Sequence, residues 1–120
     1  QKKAAKVGFD WPGPAPVLEK LAEEIEEVRV EFDAVAASPG DAAARDRLED
    51  ELGDILFVCA NLARHAEVDV GTALRRANRK FERRFRAMET LAEATGGLAE
   101  KSLQEQDAFW EQAKAMERQG

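Results

Sequence analysis

The sequence predicts an all-α protein, a four-helix bundle, on three observations. Alanine supplies 22 residues and glutamate 16, whereas Val, Ile and Thr together supply 13, so strong helix formers outweigh strand formers. Apolar residues recur at alternating intervals of three and four through most of the chain. Proline and glycine gather at 12–14, 39–40 and 96–97, where they separate stretches of helical length. A length of 120 residues supports one hydrophobic core. The expected organisation is an N-terminal arm over 1–14 and a single helical domain over 15–120.

The arm carries Lys2, Lys3 and Lys6, then Val7, Phe9 and Trp11, and closes on Pro12, Gly13 and Pro14; it reads as irregular and pinned by its aromatics. From Pro16 the residues Leu18, Leu21, Ile25, Val28, Phe32 and Val35 share one helical stripe, and this first helix ends before Ser38, Pro39 and Gly40. A second helix starts near Asp41 and carries Leu48, Leu52, Ile55, Cys59, Leu62 and Ala66 as far as Val68, with Leu56, Phe57 and Val58 widening its apolar face. Asp69 can cap a third, whose stripe is Leu74, Ala77, Phe81, Phe85, Met88 and Leu91 and which Gly96 and Gly97 stop. Ser102 with Glu105 three residues on spells a capping box for a short fourth helix bearing Leu103, Phe109, Trp110, Ala113 and Met116.

A formal net charge of −6 argues against a general nucleic-acid or membrane-surface binder, because both require a positive field. No apolar run approaches the ~20 residues that cross a bilayer, and no charged-then-apolar signal opens the chain. The lone Cys59 lies in apolar company and reads as core, which fits a reducing, cytoplasmic setting. The absent initiator Met suggests a piece of a longer protein. The charges are nevertheless segregated: Leu18 to Asp54 holds thirteen acids against four bases, and residues 75–86 hold seven bases against Glu82 alone.

Helix one contains Glu23-Glu24-Ile25-Glu26-Glu27 and helix two Glu51-Leu52-Gly53-Asp54. Acids three apart lie about 60° around a helix and one turn along it, so both carboxylates of a pair can reach one point. Glu24 and Glu27 each precede a stripe residue, as do Glu51 and Asp54, which puts both pairs on the same flank, at the edge of the buried seam. If the two helices pack antiparallel, four carboxylates converge and repel; a hard divalent cation, Mg²⁺, Mn²⁺ or Ca²⁺, removes that cost. The competing reading is a solvated acidic face with partners such as Lys20 to Glu24.

The pattern EExxE followed by ExxD resembles the all-α nucleoside triphosphate pyrophosphohydrolases, specifically the MazG family. The resemblance extends to Val7-Gly8-Phe9-Asp10-Trp11-Pro12, Glu51 to Phe57, Asn61-Leu62-Ala63-Arg64-His65 and Ala77 to Phe85, and runs from about Val7 to Lys114. It is that of the C-terminal catalytic half of a two-domain member. It implies Mg²⁺-dependent hydrolysis (Mn²⁺ as the substitute) of a nucleoside triphosphate to the monophosphate and pyrophosphate, in a homodimer. Glu24, Glu27, Glu51 and Asp54 would be the metal ligands, and Glu23 or Glu27 the base that takes a proton from the attacking water. The resemblance also implies phosphate contacts from Lys80 and Arg84, and nucleotide contacts from Trp110 and Lys114. Each of these has a plainer role open to it, as solvated base or core tryptophan. Asn61, on nearly the same flank as Asp54, can bond ribose or phosphate or simply cap the seam, and Lys20 sits on the Glu24 flank as a further contact. His65 has Leu62 three residues before it, so the Glu-x-x-His unit of di-iron bundles is absent. The interval from Glu27 to Glu51 is long for the family. Related dUTPase-like and phosphoribosyl-ATP pyrophosphohydrolases share the acidic helices, and a non-catalytic helical oligomerisation module is the alternative of a different class.

Overall fold

The computed structural model describes residues 1–119, and among them all regular structure is helical. The order is α1 (Lys2–Lys6), α2 (Pro14–Ala37), α3 (Ala42–His65), α4 (Val70–Ala92), and α5 (Leu103–Gln119), with single 3₁₀ turns at Glu93–Thr95 and Leu98–Glu100 before α5. The all-α expectation holds, but the expected four helices become five, because the arm contains α1. Its single turn ends on lysines, which suit the negative end of a helix, and Gly8 at φ +86 closes it. There Gly8 N–H donates to the Ala5 carbonyl and Phe9 N–H to that of Ala4, the paired bonds of a Schellman closure.

The chain divides into two compact units, Gln1–Val70 and Gly71–Gly120. In the first, α2 packs on α3. Pro14 opens α2 where a missing N–H costs nothing, and Asp41 caps α3 by accepting from Ala43 N–H at 3.0 Å. The hairpin is antiparallel: Arg47 Nε meets Glu31 Oε2 at 3.1 Å close to the turn, and Glu24 lies near Glu51 and Asp54 farther from it.

The seam is rotated from the stripe that the apolar spacing predicts. The residues buried in α2 are Val17, Glu24 and Val28, each of the first two one position ahead of a stripe residue, while Leu18, Ile25 and Phe32 remain 51, 47 and 54% exposed. In α3 the buried residues are Ala44, Val58 and Asn61, and Leu52 is exposed. Counting apolar positions finds the wider greasy face of α2; of the acids only Glu24 lies in the seam itself, while Glu51 is half-buried and Glu27 and Asp54 are exposed, at its edge as the spacing predicts. Of the arm's expected anchors, Val7 and Phe9 do not pin it, while Trp11 is half-buried. Phe9 is 81% exposed, and the arm is held instead by Arg64 Nη2 donating to Asp10 Oδ1 at 2.6 Å and Gln1 Nε2 donating to the Phe57 carbonyl at 2.8 Å.

In the second unit the capping box forms as spelled: Ser102 N–H donates to Glu105 Oε1 at 3.0 Å and Glu105 N–H to Ser102 Oγ at 3.1 Å. Phe81 of α4 meets Trp110 of α5 at 5.7 Å between ring centroids, and Arg83 and Arg84 bridge to Glu117 at 2.8 and 3.0 Å. Met88, Ala92 and Ala113 are its buried apolar residues.

Candidate functional site

Carboxylate oxygens of Glu24, Glu51 and Asp54 lie within 4.8 Å of one another. The i,i+3 spacing on α3 supplies two of them, and the antiparallel register brings Glu24 across. Glu27 joins the group: it is the main influence that pushes Glu51 up from 4.5 to about 7, ahead of burial and of Glu24. The acid is thus held proton-bearing near neutrality by its like-charged neighbour. Glu24 is 4% exposed, which excludes the solvated-face reading for it. Its carboxyl is held below the usual range, first by Lys20, whose Nζ lies 3.0 Å from Glu24 Oε1. Lys20 in turn is raised by the same contact.

One oxygen of each of two acids, Glu24 Oε2 and Glu51 Oε2, is buried and has no hydrogen-bond partner. Buried polar atoms without partners cost free energy, and the donor set here is oxygen only. The oxygens of Glu24, Glu51 and Asp54 are close enough that this set could hold a hard divalent cation. Glu23 stands outside the group, largely exposed, with Oε2 3.6 Å from Lys20 Nζ.

Asn61 is buried two turns beyond Asp54, and its Oδ1 accepts from Arg64 Nη2 at 3.3 Å. Asp10 gathers three donors on one oxygen: Arg64, Trp11 N–H at 2.9 Å and His65 Nε2 at 3.3 Å. Arg64 above all holds its carboxyl below 3.8. Sequence reasoning gave Asp10 and Arg64 no role. The signal was present in the words around Trp11 and Asn61, but their partnership spans 54 residues and only the fold reveals it.

The remaining expected contacts lie in the second unit. Arg84 and Trp110 meet, with the guanidinium 5.4 Å from the ring centroid. Lys80 is exposed one turn before Arg84, and Lys114 Nζ lies 3.6 Å from Glu111 Oε1. Arg84 and Trp110 are therefore already engaged with neighbours, whereas Lys80 keeps an exposed side of α4.

Comparison with known proteins follows the same residues. The MazG nucleotide pyrophosphohydrolase domain matches residues 13–88, which include all four acids, Asn61, Lys80 and Arg84. The chain is 41% identical over 118 residues to the nucleoside triphosphate pyrophosphohydrolase of Escherichia coli K12, covering 98% of this chain and 43% of that protein. It is 42% identical over 115 residues to the nucleoside triphosphate pyrophosphohydrolase/pyrophosphatase MazG of Thermotoga maritima, covering 95% of this chain and 41% of that one. It thus spans less than half the length of these relatives. The matched span contains the acidic pairs that the antiparallel hairpin draws together, and the chain belongs to the MazG family.

Proposed function

We propose that the protein hydrolyses nucleoside triphosphates, NTP or dNTP, to the monophosphate and pyrophosphate, and that it does so as a homodimer dependent on Mg²⁺, with Mn²⁺ as the substitute. The observation that carries the reading is the oxygen-only cluster of Glu24, Glu51 and Asp54 with two buried oxygens that lack protein partners. The activity for which the E. coli and T. maritima relatives are named supports the same reaction. A divalent ion held by Glu24, Glu27, Glu51 and Asp54 would neutralise phosphate charge and favour the anionic form of a water.

The chain's own residues supply the rest. Glu27, or the exposed Glu23, takes the proton as the water oxygen bonds to the α-phosphorus. The bond from that phosphorus to the α,β-bridging oxygen breaks, and pyrophosphate leaves with the electron pair. Lys80 and Arg84, one turn apart on α4, counter phosphate charge, and Lys20 and Lys114 add ammonium groups. Asn61 contributes to binding the substrate, and Trp110 offers an aromatic surface to the nucleotide.

The test is product analysis on the purified chain with each NTP, each dNTP and phosphoribosyl-ATP, with and without Mg²⁺. Monophosphate and pyrophosphate in equal amounts, lost in Glu24→Ala and Asp54→Ala, is the expected result. Inorganic phosphate as the sole phosphorus leaving group rejects the reaction, and a folded protein without Mg²⁺-dependent turnover rejects the enzyme.

A further inference from the structure

A cavity of about 350 Å³ lies between the N-terminal arm and the C-terminal half of α3. Three rings line it, those of Phe9, Trp11 and Phe57, together with three polar side chains, Gln1, Asp10 and Asn61. The arm that forms one wall is tied at both ends: Gln1 Nε2 to the Phe57 carbonyl, and Asp10 to Arg64. Between these ties, Gly8 at φ +86 turns the chain out of α1 and sets Phe9 and Trp11 across from α3. The concavity is therefore held open by the protein's own bonds, as ligand sites commonly are.

The polar end is equally fixed. An arginine can only donate, so the Asn61 amide must turn its oxygen toward Arg64, and the 3.3 Å contact to Oδ1 agrees. Arg64 itself is anchored by Asp10. With the oxygen so engaged, the NH₂ is the amide's donor group, and Asn61 is among the residues that line the cavity. Rings with an amide donor at the edge match a planar heterocycle bearing an acceptor better than an aliphatic chain, which offers the amide nothing to bond.

Position along α3 links the cavity to the carboxylates. Phe57 and Asn61 follow Asp54 by three and seven residues, roughly 4.5 and 10.5 Å along the axis. The seven-residue step returns to nearly the same flank. A nucleotide with its phosphates at the acidic cluster and its body laid along α3 brings its ring end to the cavity. Trp110, the other aromatic candidate, already has Arg84 over its ring at 5.4 Å and Phe81 at 5.7 Å.

We infer that this cavity is the nucleobase subsite, in which the base stacks among Phe9, Trp11 and Phe57 and accepts a hydrogen bond from the Asn61 amide. The inference rests on the hydrolase reading for its substrate class. The chain has two tryptophans, so each ring site can be watched alone. Trp110→Phe leaves Trp11 as the reporter, and Trp11→Phe leaves Trp110; each is titrated with nucleoside monophosphates in Mg²⁺. Saturable quenching of the Trp11 reporter is expected. In the same protein background, Phe57→Ala, whose ring is exposed enough to remove without unfolding the hairpin, should raise KM more than it lowers kcat. It should also cut the preference for nucleoside triphosphate over inorganic tripolyphosphate about tenfold, the scale of one lost stacking partner.

Quenching confined to the Trp110 reporter overturns the assignment. So does Trp11 emission that responds to protein concentration and not to nucleotide, which means a second copy fills the cavity. A loss in Phe57→Ala that is equal for tripolyphosphate overturns it as well. All three leave pyrophosphate release by the unaltered protein intact. Conversely, quenching of Trp11 by nucleotide in a protein that cleaves no triphosphate keeps the cavity and rejects the hydrolase.

Discussion

Glu51 and Asp10 are two carboxylates in opposite circumstances, and each sets a different dependence on conditions. Glu51 stands beside Glu27 and Glu24 and is raised to about 7. A carboxyl raised in the folded state contributes stability below its ordinary value of 4.5 that is lost as pH rises through about 7. In EDTA at pH 8, Glu51→Gln should therefore melt above the unaltered protein, and Mg²⁺ should raise the unaltered protein's Tm and not the variant's. Turnover in Glu51→Gln should fall about a hundredfold, the scale of a weakened metal site; a variant that retains both Mg²⁺ stabilisation and rate would remove Glu51 from the ligand set. Asp10 is lowered below 3.8 by Arg64, so its contribution is present above that value and disappears as pH falls through its folded-state pKa. Urea midpoints of Asp10→Asn should lie below those of the unaltered protein at pH 7, with the two converging at about pH 2. A constant gap across that range would show that Asp10 acts other than through its charge.

At the scale of elements, the turns after α1 and α3 share one closure with unequal residues. After α1 the left-handed position is Gly8; after α3 it is Glu67, at φ +59, with Glu67 N–H donating to the Arg64 carbonyl and Val68 N–H to that of Ala63. A side chain at that φ is strained, and an acid at the negative end of a helix is disfavoured. Glu67→Gly should raise the free energy of unfolding by about 1 kcal/mol in a urea titration, net of the flexibility that glycine adds to the unfolded chain. Glycine is a readable stop signal and Glu67 is not, which is why spacing alone carries the second helix to Val68 when it ends at His65. Local signals were otherwise informative: the Asp41 cap, the Ser102–Glu105 box and the i,i+3 acids are contacts within a turn, written in adjacent letters. What adjacent letters do not encode is rotation about the helix axis. Leu18, Ile25, Val28 and Phe32 announce a face, but only packing decides that Val17 and Glu24 are buried with Val28 while Leu18, Ile25 and Phe32 are not.

For the molecule as a whole, that rotation leaves an apolar surface on α2. Leu18, Ile25 and Phe32 lie half exposed along one side of it, a pattern that marks an association face and supports the proposed homodimer. Light scattering should give twice the 13.3 kDa chain mass, and Ile25→Glu, at a position already 47% exposed, should give the single-chain mass without loss of helicity. A single-chain mass for the unaltered protein would end the proposal. The segregation of charge was legible from composition by segment, whereas the net of −6 concealed it. The Asp10–Arg64–Asn61 connection was not legible, since it depends on the arm's folding across α3 from 54 residues away.

For the proposed metal site, the bridge from Lys20 to Glu24 would make the arrival of a divalent ion an exchange of cations and not a simple addition. The ammonium sits on a four-carbon stem, so it can leave Glu24 without any change in the α2 backbone. What it gives up to the incoming ion it can return to the incoming anion, a phosphate that needs a positive neighbour at that moment. On that proposal the resting helix would store, as an internal counter-ion, a group that substrate binding would otherwise have to recruit.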